Sequence, residues 1–336
     1  MTERPIARRP ALSVADYVDG VLSGQRSALA RAITLIESSN PAHEELGQEV
    51  LRQLLPHAGK SLRLGISGVP GVGKSTFIEA FGTRLCNDRH KLAVLAVDPS
   101  SSRTGGSILG DKTRMTELGV HENAFIRPSP TAGTLGGVAR RTRESIILCE
   151  AAGFDLVLVE TVGVGQSETT VAGMVDFFLV LMLPGAGDEL QGLKKGILEI
   201  ADMIVINKAD GTHVNKARIA AQEYTRALRI VTPQSPNWSP PVAVCSALEG
   251  SGLDNIWQLI GDFHKTLEKT GEFQQRRQQQ QLTWMWSIVE HELFAAIKND
   301  PQTQALIKNA ERDVMEGRLP VRTAASNLLD VFRRAR

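Results

Sequence analysis

The feature that most constrains this chain is a glycine-rich segment between a predicted strand and a predicted helix. It matches the pattern G-x-x-x-x-G-K-[ST] at every specified position. In chain order its residues are Gly68, Val69, Pro70, Gly71, Val72, Gly73, Lys74 and Ser75. The apolar run 62–67 predicts the strand, and residues 76–81 predict the helix. Glycines let the backbone wrap closely around a phosphate, so that N–H groups and the helix N-terminus face the anion. The segment therefore predicts a phosphate-binding loop.

The polar side chains of this loop have separate expected roles. Lys74 is expected to contact the β- and γ-phosphates of a nucleotide, and the Ser75 hydroxyl to ligate Mg²⁺. Thr76 comes next and opens the predicted helix, so we count it among the nucleotide-binding residues. A chance match to the pattern would lack the flanking strand and helix.

A second motif distinguishes GTP from ATP. The apolar run 202–206 predicts a strand, and Asn207, Lys208 and Asp210 follow it, where ligands bind in doubly wound sheets. A carboxylate at this place accepts hydrogen bonds from N1–H and the exocyclic amine of guanine, a pair of donors that adenine lacks. Such a site rejects the wrong ligand by about 10⁴–10⁵-fold. By itself the motif could be a polar turn, but its order after a phosphate-binding loop favours a guanine site.

A third segment supports guanine. Ser246, Ala247 and Leu248 follow the predicted strand 241–245, and there the backbone N–H of Ala247 could donate to guanine O6. The three segments in this order predict GTP and GDP as the bound nucleotides.

Two predicted strands end in acidic residues. The run 92–97 leads into Asp98, and the run 154–159 leads into Glu160. If the two strands are parallel neighbours, both carboxylates lie near the Mg²⁺ ion or its water ligands. The alternative is that each acid caps a turn.

Glu160 and Gly163 have the spacing of the γ-phosphate sensor of GTPases. The Gly163 N–H is the expected donor to the γ-phosphate, so loss of that phosphate would release the segment. The next residue is Val164 rather than a glutamine that orients the attacking water, and Gln166 lies two places too late. We therefore expect slow intrinsic hydrolysis, with a partner or a second segment completing the site.

The polar segment 100–115 suits a stretch that becomes ordered on metal and γ-phosphate. Within it Asp111 could ligate the metal, and Arg114 could offset phosphate charge. We assign catalytic roles to Lys74, Glu160 and Arg114. The alternative for the segment is a solvated loop that runs into a helix.

The apolar run 177–182 predicts a strand, and a third candidate switch covers residues 183–196 after it. Gly185 and Gly187 supply hinges, whereas Asp188 and Lys194 have no evident helical partners. As a plain connection the segment would be long and unusually charged.

Taken together, these motifs resemble those of the MeaB/ArgK GTPases, relatives of the human methylmalonic aciduria type A protein among the metallochaperone-like GTPases. The resemblance runs from about Leu29 to the C-terminal helices. The segments that carry it are 68–76, 97–101, 105–115, 160–168 and 207–210.

The resemblance implies a GTPase that acts as a chaperone for an adenosylcobalamin-dependent acyl-CoA mutase, usually methylmalonyl-CoA mutase. Such proteins gate delivery of the cofactor from an adenosyltransferase and protect or reactivate the mutase. By the same resemblance, Ser75, Asp98, Asp111 and Glu160 form the Mg²⁺ sphere. Residues 183–194 then form a third switch that signals to the mutase, and Arg114 and Lys194 couple the metal or phosphate state to that signal.

Composition restricts the possible classes of protein. The formal net charge of +1 argues against nucleic acid as a partner. The three cysteines are widely spaced, as in a reduced cytoplasmic protein, and argue against a transition-metal site. No apolar run reaches the roughly 18 residues needed to span a bilayer, and the N-terminus lacks a signal-peptide pattern. We therefore expect a cytoplasmic protein that contacts no membrane.

The pattern predicts an α/β fold of the P-loop NTPase class with a mostly parallel central sheet. Residues 1–60 form an N-terminal helical extension with a break at Asn40 and Pro41, and residues 61–270 form the GTP-binding domain. Residues 271–336 form a C-terminal helical arm with a break at Asp300 and Pro301. The arm needs a surface to cover its apolar residues. Its own domain is one candidate, and a second copy of the chain in a homodimer is the one we favour.

Two other functions compete with the mutase chaperone. One is an ATPase or kinase linked to basic amino-acid transport, which the guanine motif at Asn207 and Asp210 disfavours. The other is a GTPase that inserts nickel or another metal into an enzyme.

Overall fold

The computed structural model describes residues 12–38, 40–97, 115–128, 135–161, 167–185 and 195–334. These residues form a seven-stranded sheet in the order β3-β2-β4-β1-β5-β6-β7. The strands are β1 Leu62–Gly68, β2 Leu92–Val97, β3 Ala124–Arg127, β4 Leu156–Thr161, β5 Phe177–Met182, β6 Met203–Ile206 and β7 Val242–Val244. Every neighbouring pair is parallel. The predicted α/β class with a mostly parallel sheet is confirmed.

Helices connect and cover these strands. Those before β4 are α1 Val14–Leu22, α2 Arg26–Glu37, α3 Pro41–Leu54, α4 Lys74–Asn87 and α5 Leu135–Ala151. Those after β4 are α6 Ser167–Ala172, α7 Lys195–Ile200, α8 Val214–Leu228, α9 Leu253–Thr270, α10 Glu272–Asn299, α11 Pro301–Met315 and α12 Val321–Arg334. Short 3₁₀ turns lie at Leu55–His57, Leu118–Val120 and Gly211–His213.

The sheet is buried on both faces, which explains why its strands are continuous apolar runs. Successive side chains of a strand point to opposite faces. Leu64 and Ile66 of β1 pack with Phe77 and Phe81 of α4 on one face. On the other face, Val157 and Val159 of β4 and Phe178 of β5 pack with residues of α1, α2, α3 and α5.

The N-terminal helices are separated by clear stop signals. A capping box between Ser13 and Asp16 begins α1, and the Asn40 side chain caps α3, which has proline in its first turn. The sequence analysis placed one break, at Asn40. The structure adds a second after α1, where Gly24 has a φ of 71°. Helical periodicity alone missed it because the apolar residues keep helical spacing across the turn.

The predicted strands agree with the observed ones except at their ends and at β3. β3 has only four residues, lies at the edge of the sheet and was not predicted. β4 was predicted to end at Val159, whereas the observed strand includes Glu160 and Thr161. The three cysteines are buried free thiols, as expected, and burial raises the pKa of Cys86 to about 11.

The chain divides into two compact units, Met1–Arg276 and Arg277–Arg336. The first contains the sheet. In the second, α11 packs against α12, and the Asp300 side chain caps α11 by accepting from the Thr303 N–H at 2.8 Å. The domain boundaries at residues 60 and 270 stay a prediction. Within the described part of the chain, no helix is long and apolar enough to cross a membrane.

Candidate nucleotide-binding site

The predicted nucleotide-binding segments lie at one edge of the sheet. Because all strands are parallel, their carboxyl ends meet at the same edge. The phosphate-binding loop follows the central strand β1, which lies between β4 and β5. Asn207 follows β6, and Ser246 follows β7 on the same side. The order of the strands therefore brings the phosphate and guanine motifs together.

The loop has a backbone that only glycine adopts easily. Gly71 and Gly73 have φ angles of 77° and 91°, in the left-handed region. A Cβ on Gly73 would lie 3.1 Å from Asn207 Nδ2, so space is restricted there as well. Gly73 is also the N-cap of α4 and gives no side-chain hydrogen bond to the first turn. The first N–H groups of α4 are thus available to an anion.

Lys74 lies at the start of α4, and its side chain reaches across the loop to Gly68. Its Nζ donates to the Gly68 carbonyl oxygen at 2.8 Å. Burial lowers the pKa of Lys74, and the carboxylates of Glu160 and Glu168 oppose this effect. The amine is therefore held over the loop, beside two acidic groups, where it can exchange its carbonyl partner for a phosphate oxygen.

Glu160 is buried at the end of β4. It is paired in register with Ile66 of β1 and with Ala96 of β2. Alternate side chains of a strand share a face, so Glu160 lies on the same face of the sheet as Leu156 and Leu158, which pack with α4. Thr161 lies on the opposite face. Ser75 lies in the first turn of α4. A hydroxyl and a carboxylate on one face are oxygen ligands of the kind that Mg²⁺ prefers.

The buried side chain of Asn207 connects three segments of the site. Its Nδ2 donates to the Val72 carbonyl oxygen at 2.9 Å, and its Oδ1 accepts from the Ala247 N–H at 3.1 Å. The Cys245 thiol also lies 3.5 Å from Oδ1. The sequence analysis expected the Ala247 N–H to donate to guanine O6. In this structure it donates to Asn207, and the contact with O6 stays a prediction.

Asp210 is half-buried and oriented by Ser246. The Ser246 hydroxyl donates to Asp210 Oδ2 at 2.7 Å, and Ser246 itself is held by its N–H to the Ser251 carbonyl oxygen at 3.1 Å. Lys208 is exposed with a φ of 58°, and Leu248 is exposed as well. The hydrogen bond from Ser246 therefore orients the Asp210 carboxylate.

Several predicted site residues lie outside the described residues. They are Asp98, Asp111, Arg114, Gly163, Gln166, Gly187, Asp188 and Lys194. Their roles stay predictions, although β2 and β4, which lead to Asp98 and Glu160, are parallel neighbours as expected. Gly185 is described, and it has a φ of 87°. Among the described residues, no group of three His, Cys, Asp or Glu side chains could hold a metal ion.

Three residues in or next to this site had no role predicted from the sequence. Glu168 is buried in the first turn of α6 and acts electrostatically on Lys74. Ser67 and Thr161 are buried at the ends of β1 and β4. The sequence shows Ser67 and Thr161 as polar residues at the ends of apolar runs, which marks them as candidates. Their contact with each other could not be predicted, because it depends on which strands are neighbours.

Comparisons with known proteins identify the family of this chain. Residues 29–302 match the model of a family described as methylmalonyl Co-A mutase-associated GTPase MeaB. The chain belongs to the MeaB family. A probable GTPase of Mycobacterium tuberculosis is 53% identical over 320 residues, which cover 94% of this chain and 95% of that protein.

Two further comparisons extend this result. The mitochondrial methylmalonic aciduria type A homolog of Mus musculus is 47% identical, over 94% of this chain and 78% of that protein. A crystal structure described as a LAO/AO transport system kinase is 40% identical, with a TM-score of 0.80, and covers 97% of this chain and 100% of that one. The predictions of the family and of a GTPase are confirmed.

The contacts of Asn207 lead to a first prediction. Replacing Asn207 by Ala leaves the Val72 carbonyl and the Ala247 N–H without their partner. We expect the free energy of unfolding to fall by about 2 kcal/mol and GTP affinity to fall at least about tenfold. Urea unfolding and nucleotide titration measure the two effects.

The matched control is Asn237→Ala, because Asn237 is exposed and its amide donates to Glu272 at 2.9 Å. This variant should change the unfolding free energy by less than about 0.5 kcal/mol. Equal urea midpoints for the two variants would contradict the view that the Asn207 side chain holds the Val72 and Ala247 segments together.

Proposed function

We propose that this protein is a GTP-driven switch that chaperones an adenosylcobalamin-dependent acyl-CoA mutase of the methylmalonyl-CoA mutase type. The observation that carries the nucleotide part is the arrangement of Asn207, Asp210 and Ala247 beside the phosphate-binding loop. The mutase part is supported by the description of the matching family and by the similarity to the methylmalonic aciduria type A homolog.

In the proposed complex, residues of this chain hold each part of GTP. Asp210 accepts from N1–H and the exocyclic amine of guanine, and the Ala247 N–H lies nearby for O6. The backbone of residues 68–76 surrounds the phosphates, and Lys74 exchanges the Gly68 carbonyl for phosphate oxygens. The positive charge of Lys74 and the backbone N–H groups of the loop stabilise the negative charge that develops on the transferred phosphoryl group.

The residues that would hold Mg²⁺ are Ser75, Asp98, Asp111 and Glu160. When bound, Mg²⁺ would neutralise negative charge on the phosphates. Ser75 and Glu160 fit this role because both lie at the α4 face of the sheet edge.

The proposed switch couples nucleotide state to partner binding. Gly163 and Gln166 would respond to the γ-phosphate. Arg114 and the segment with Gly185, Gly187, Asp188 and Lys194 would transmit that state to the mutase. The GTP state then gates loading of the mutase with cofactor from an adenosyltransferase, or protects and reactivates the mutase, and hydrolysis resets the switch. We place this activity in the cytoplasm.

The C-terminal arm is proposed to form a homodimer. In the second unit, one side of α10 exposes large apolar residues at helical spacing. They are Leu282, Met285, Trp286, Val289 and Leu293. Each is more than a third exposed, and a stripe at spacings of three and four residues is the pattern of a helix that packs on another helix. A second copy offers an identical stripe, so two-fold symmetry covers both at once.

A competing function is suggested by the similar structure described as a transport system kinase. A kinase of this kind would use ATP, and the carboxylate of Asp210 disfavours adenine because it lacks the two donors of guanine. A GTPase that inserts a transition metal into an enzyme is disfavoured by the sequence, because its three cysteines are widely spaced.

Guanine recognition has a direct test in Asp210→Asn. Xanthine has a carbonyl where guanine has its exocyclic amine, so an Asn amide complements it by donating one hydrogen bond and accepting another. We expect the preference for GTP over xanthosine triphosphate to shift by at least about 100-fold toward the latter. Competition binding with GTP, ATP and xanthosine triphosphate measures this. A wild-type chain that prefers ATP would overturn the assignment.

Partner activation is tested by single-turnover GTP hydrolysis with and without an adenosylcobalamin-dependent acyl-CoA mutase. Because Val164 replaces the usual water-orienting glutamine, intrinsic hydrolysis should be slow. Addition of the mutase should raise the rate at least about tenfold, within the range that partner residues supply to other GTPases. Equal rates, with GTP binding intact, would contradict mutase activation and leave the guanine site unaffected.

The homodimer is tested with the double variant Trp286→Glu/Leu293→Glu. Two charges on the apolar stripe should abolish association, because they would be buried without partners. Sedimentation should give the mass of one chain, 36.5 kDa, for the variant and twice that for the wild type. The control is Ser287→Glu, which lies about 100° around the helix from Trp286 and should stay dimeric. A monomeric wild type would refute the proposal.

A further inference from the structure

Two buried hydroxyl groups connect β1 and β4 directly beneath the phosphate-binding loop. The Thr161 hydroxyl donates to Ser67 Oγ at 2.9 Å and lies 3.5 Å from the Ile66 carbonyl oxygen. Neither residue is accessible to solvent. Ser67 is the residue before Gly68, where the loop begins, and Thr161 is the residue after Glu160.

The hydrogen bond continues the pairing of the two strands. The register between β1 and β4 runs from the pair Leu62 and Leu156 to the pair Ile66 and Glu160. On the other side of β4, Thr161 is still paired with Val97 of β2. The contact between Thr161 and Ser67 thus extends the attachment of β4 to β1 by one residue beyond the paired backbone.

Side-chain alternation separates this contact from the phosphate site. Glu160 is on the α4 face, so Thr161 lies on the opposite face, together with Val157 and Val159. Gly65 lies on that same face, where an added Cβ would meet Phe178 Cδ2 at 2.7 Å. The two hydroxyl groups therefore do not face the phosphate site. They can affect it only by fixing the positions of the two strand ends.

We propose that Thr161 is a positioning residue for GTP hydrolysis, whose hydrogen bond to Ser67 fixes the Glu160 carboxylate relative to Lys74 and Ser75. The inference rests on the proposed role of Glu160 at the Mg²⁺ ion. The Glu160 carboxylate is attached to the last residues of β4, so any movement of this strand end changes its distance from α4. A displacement of about 1 Å in a catalytic group costs up to about 100-fold in rate.

The test uses the full chain and compares Thr161→Val with Thr161→Ser. Valine has nearly the same shape as threonine and removes only the hydroxyl, whereas serine keeps it. We expect Thr161→Val to lower the single-turnover rate of GTP hydrolysis about tenfold, which corresponds to about 1.4 kcal/mol. The Mg²⁺ concentration for half-maximal rate should rise at least about threefold, while GDP affinity stays within about twofold. Thr161→Ser should stay within about threefold of wild type in rate and Mg²⁺ dependence.

The second partner of the hydrogen bond gives an independent variant. Ser67→Ala removes the same contact but leaves the Thr161 hydroxyl near the Ile66 carbonyl oxygen. Its effect should be smaller than that of Thr161→Val. The double variant should be no slower than Thr161→Val alone, since the two changes remove one interaction.

The control for a loss of stability alone is Thr142→Val. The Thr142 hydroxyl is also buried, and it donates to the Val138 carbonyl oxygen at 2.8 Å within α5. This variant should lower the melting temperature about as much as Thr161→Val and leave the rate and Mg²⁺ dependence unchanged.

Three results would overturn the inference alone. They are a wild-type rate and Mg²⁺ dependence in Thr161→Val, an equal loss in Thr161→Ser, or an equal loss in Thr142→Val. A wild-type chain that binds no GTP would overturn the proposed function and this inference together. The titration of wild type with GTP separates the two cases.

Discussion

The whole nucleotide site depends on the parallel alignment of the strands around β1. β1 pairs with β4 on one side and β5 on the other, and both partners run in the same direction. The loop after β1 therefore emerges between the acidic end of β4 and the end of β5. Inverting a single strand would move its terminal residues to the other edge of the sheet. Because the strands β4, β5 and β6 are buried along their whole length, the two hydrophobic cores maintain the alignment.

Within this frame, the polar groups of the site are held by hydrogen bonds rather than left exposed. Asn207 joins the phosphate-binding loop to the segment after β7, and Ser246 orients Asp210. Lys74 is half-buried, and Glu160 and Glu168 oppose the lowering of its pKa by burial. Such preorganisation reduces the reorganisation that nucleotide binding would require, because the groups already have their orientation. Membership in the MeaB family is consistent with this arrangement.

Local chemistry made several elements of the fold predictable from the sequence. The apolar run 177–182 has six residues that are all buried, and it was predicted with the observed bounds. The helix at the C-terminal side was also predicted, with a break at Asp300 that the structure confirms as a capped helix start. β3 was missed because its apolar run, 124–126, has only three residues and is followed by Arg127. The interaction of Glu168 with Lys74 was missed because it joins residues far apart in the chain.

The sequence by itself determined the α/β class, the phosphate-binding loop, the guanine motif and the family. Each of these depends on residue types at short, fixed spacings, where backbone conformation and hydrogen-bonding capacity are local properties. Only the tertiary structure decided the strand order and the long-range contacts at the site. Examples are the hydrogen bond from Asn207 to Val72 and the one from Thr161 to Ser67. Such contacts depend on which strands become neighbours, and that choice is made by packing of the complete core rather than by any one segment.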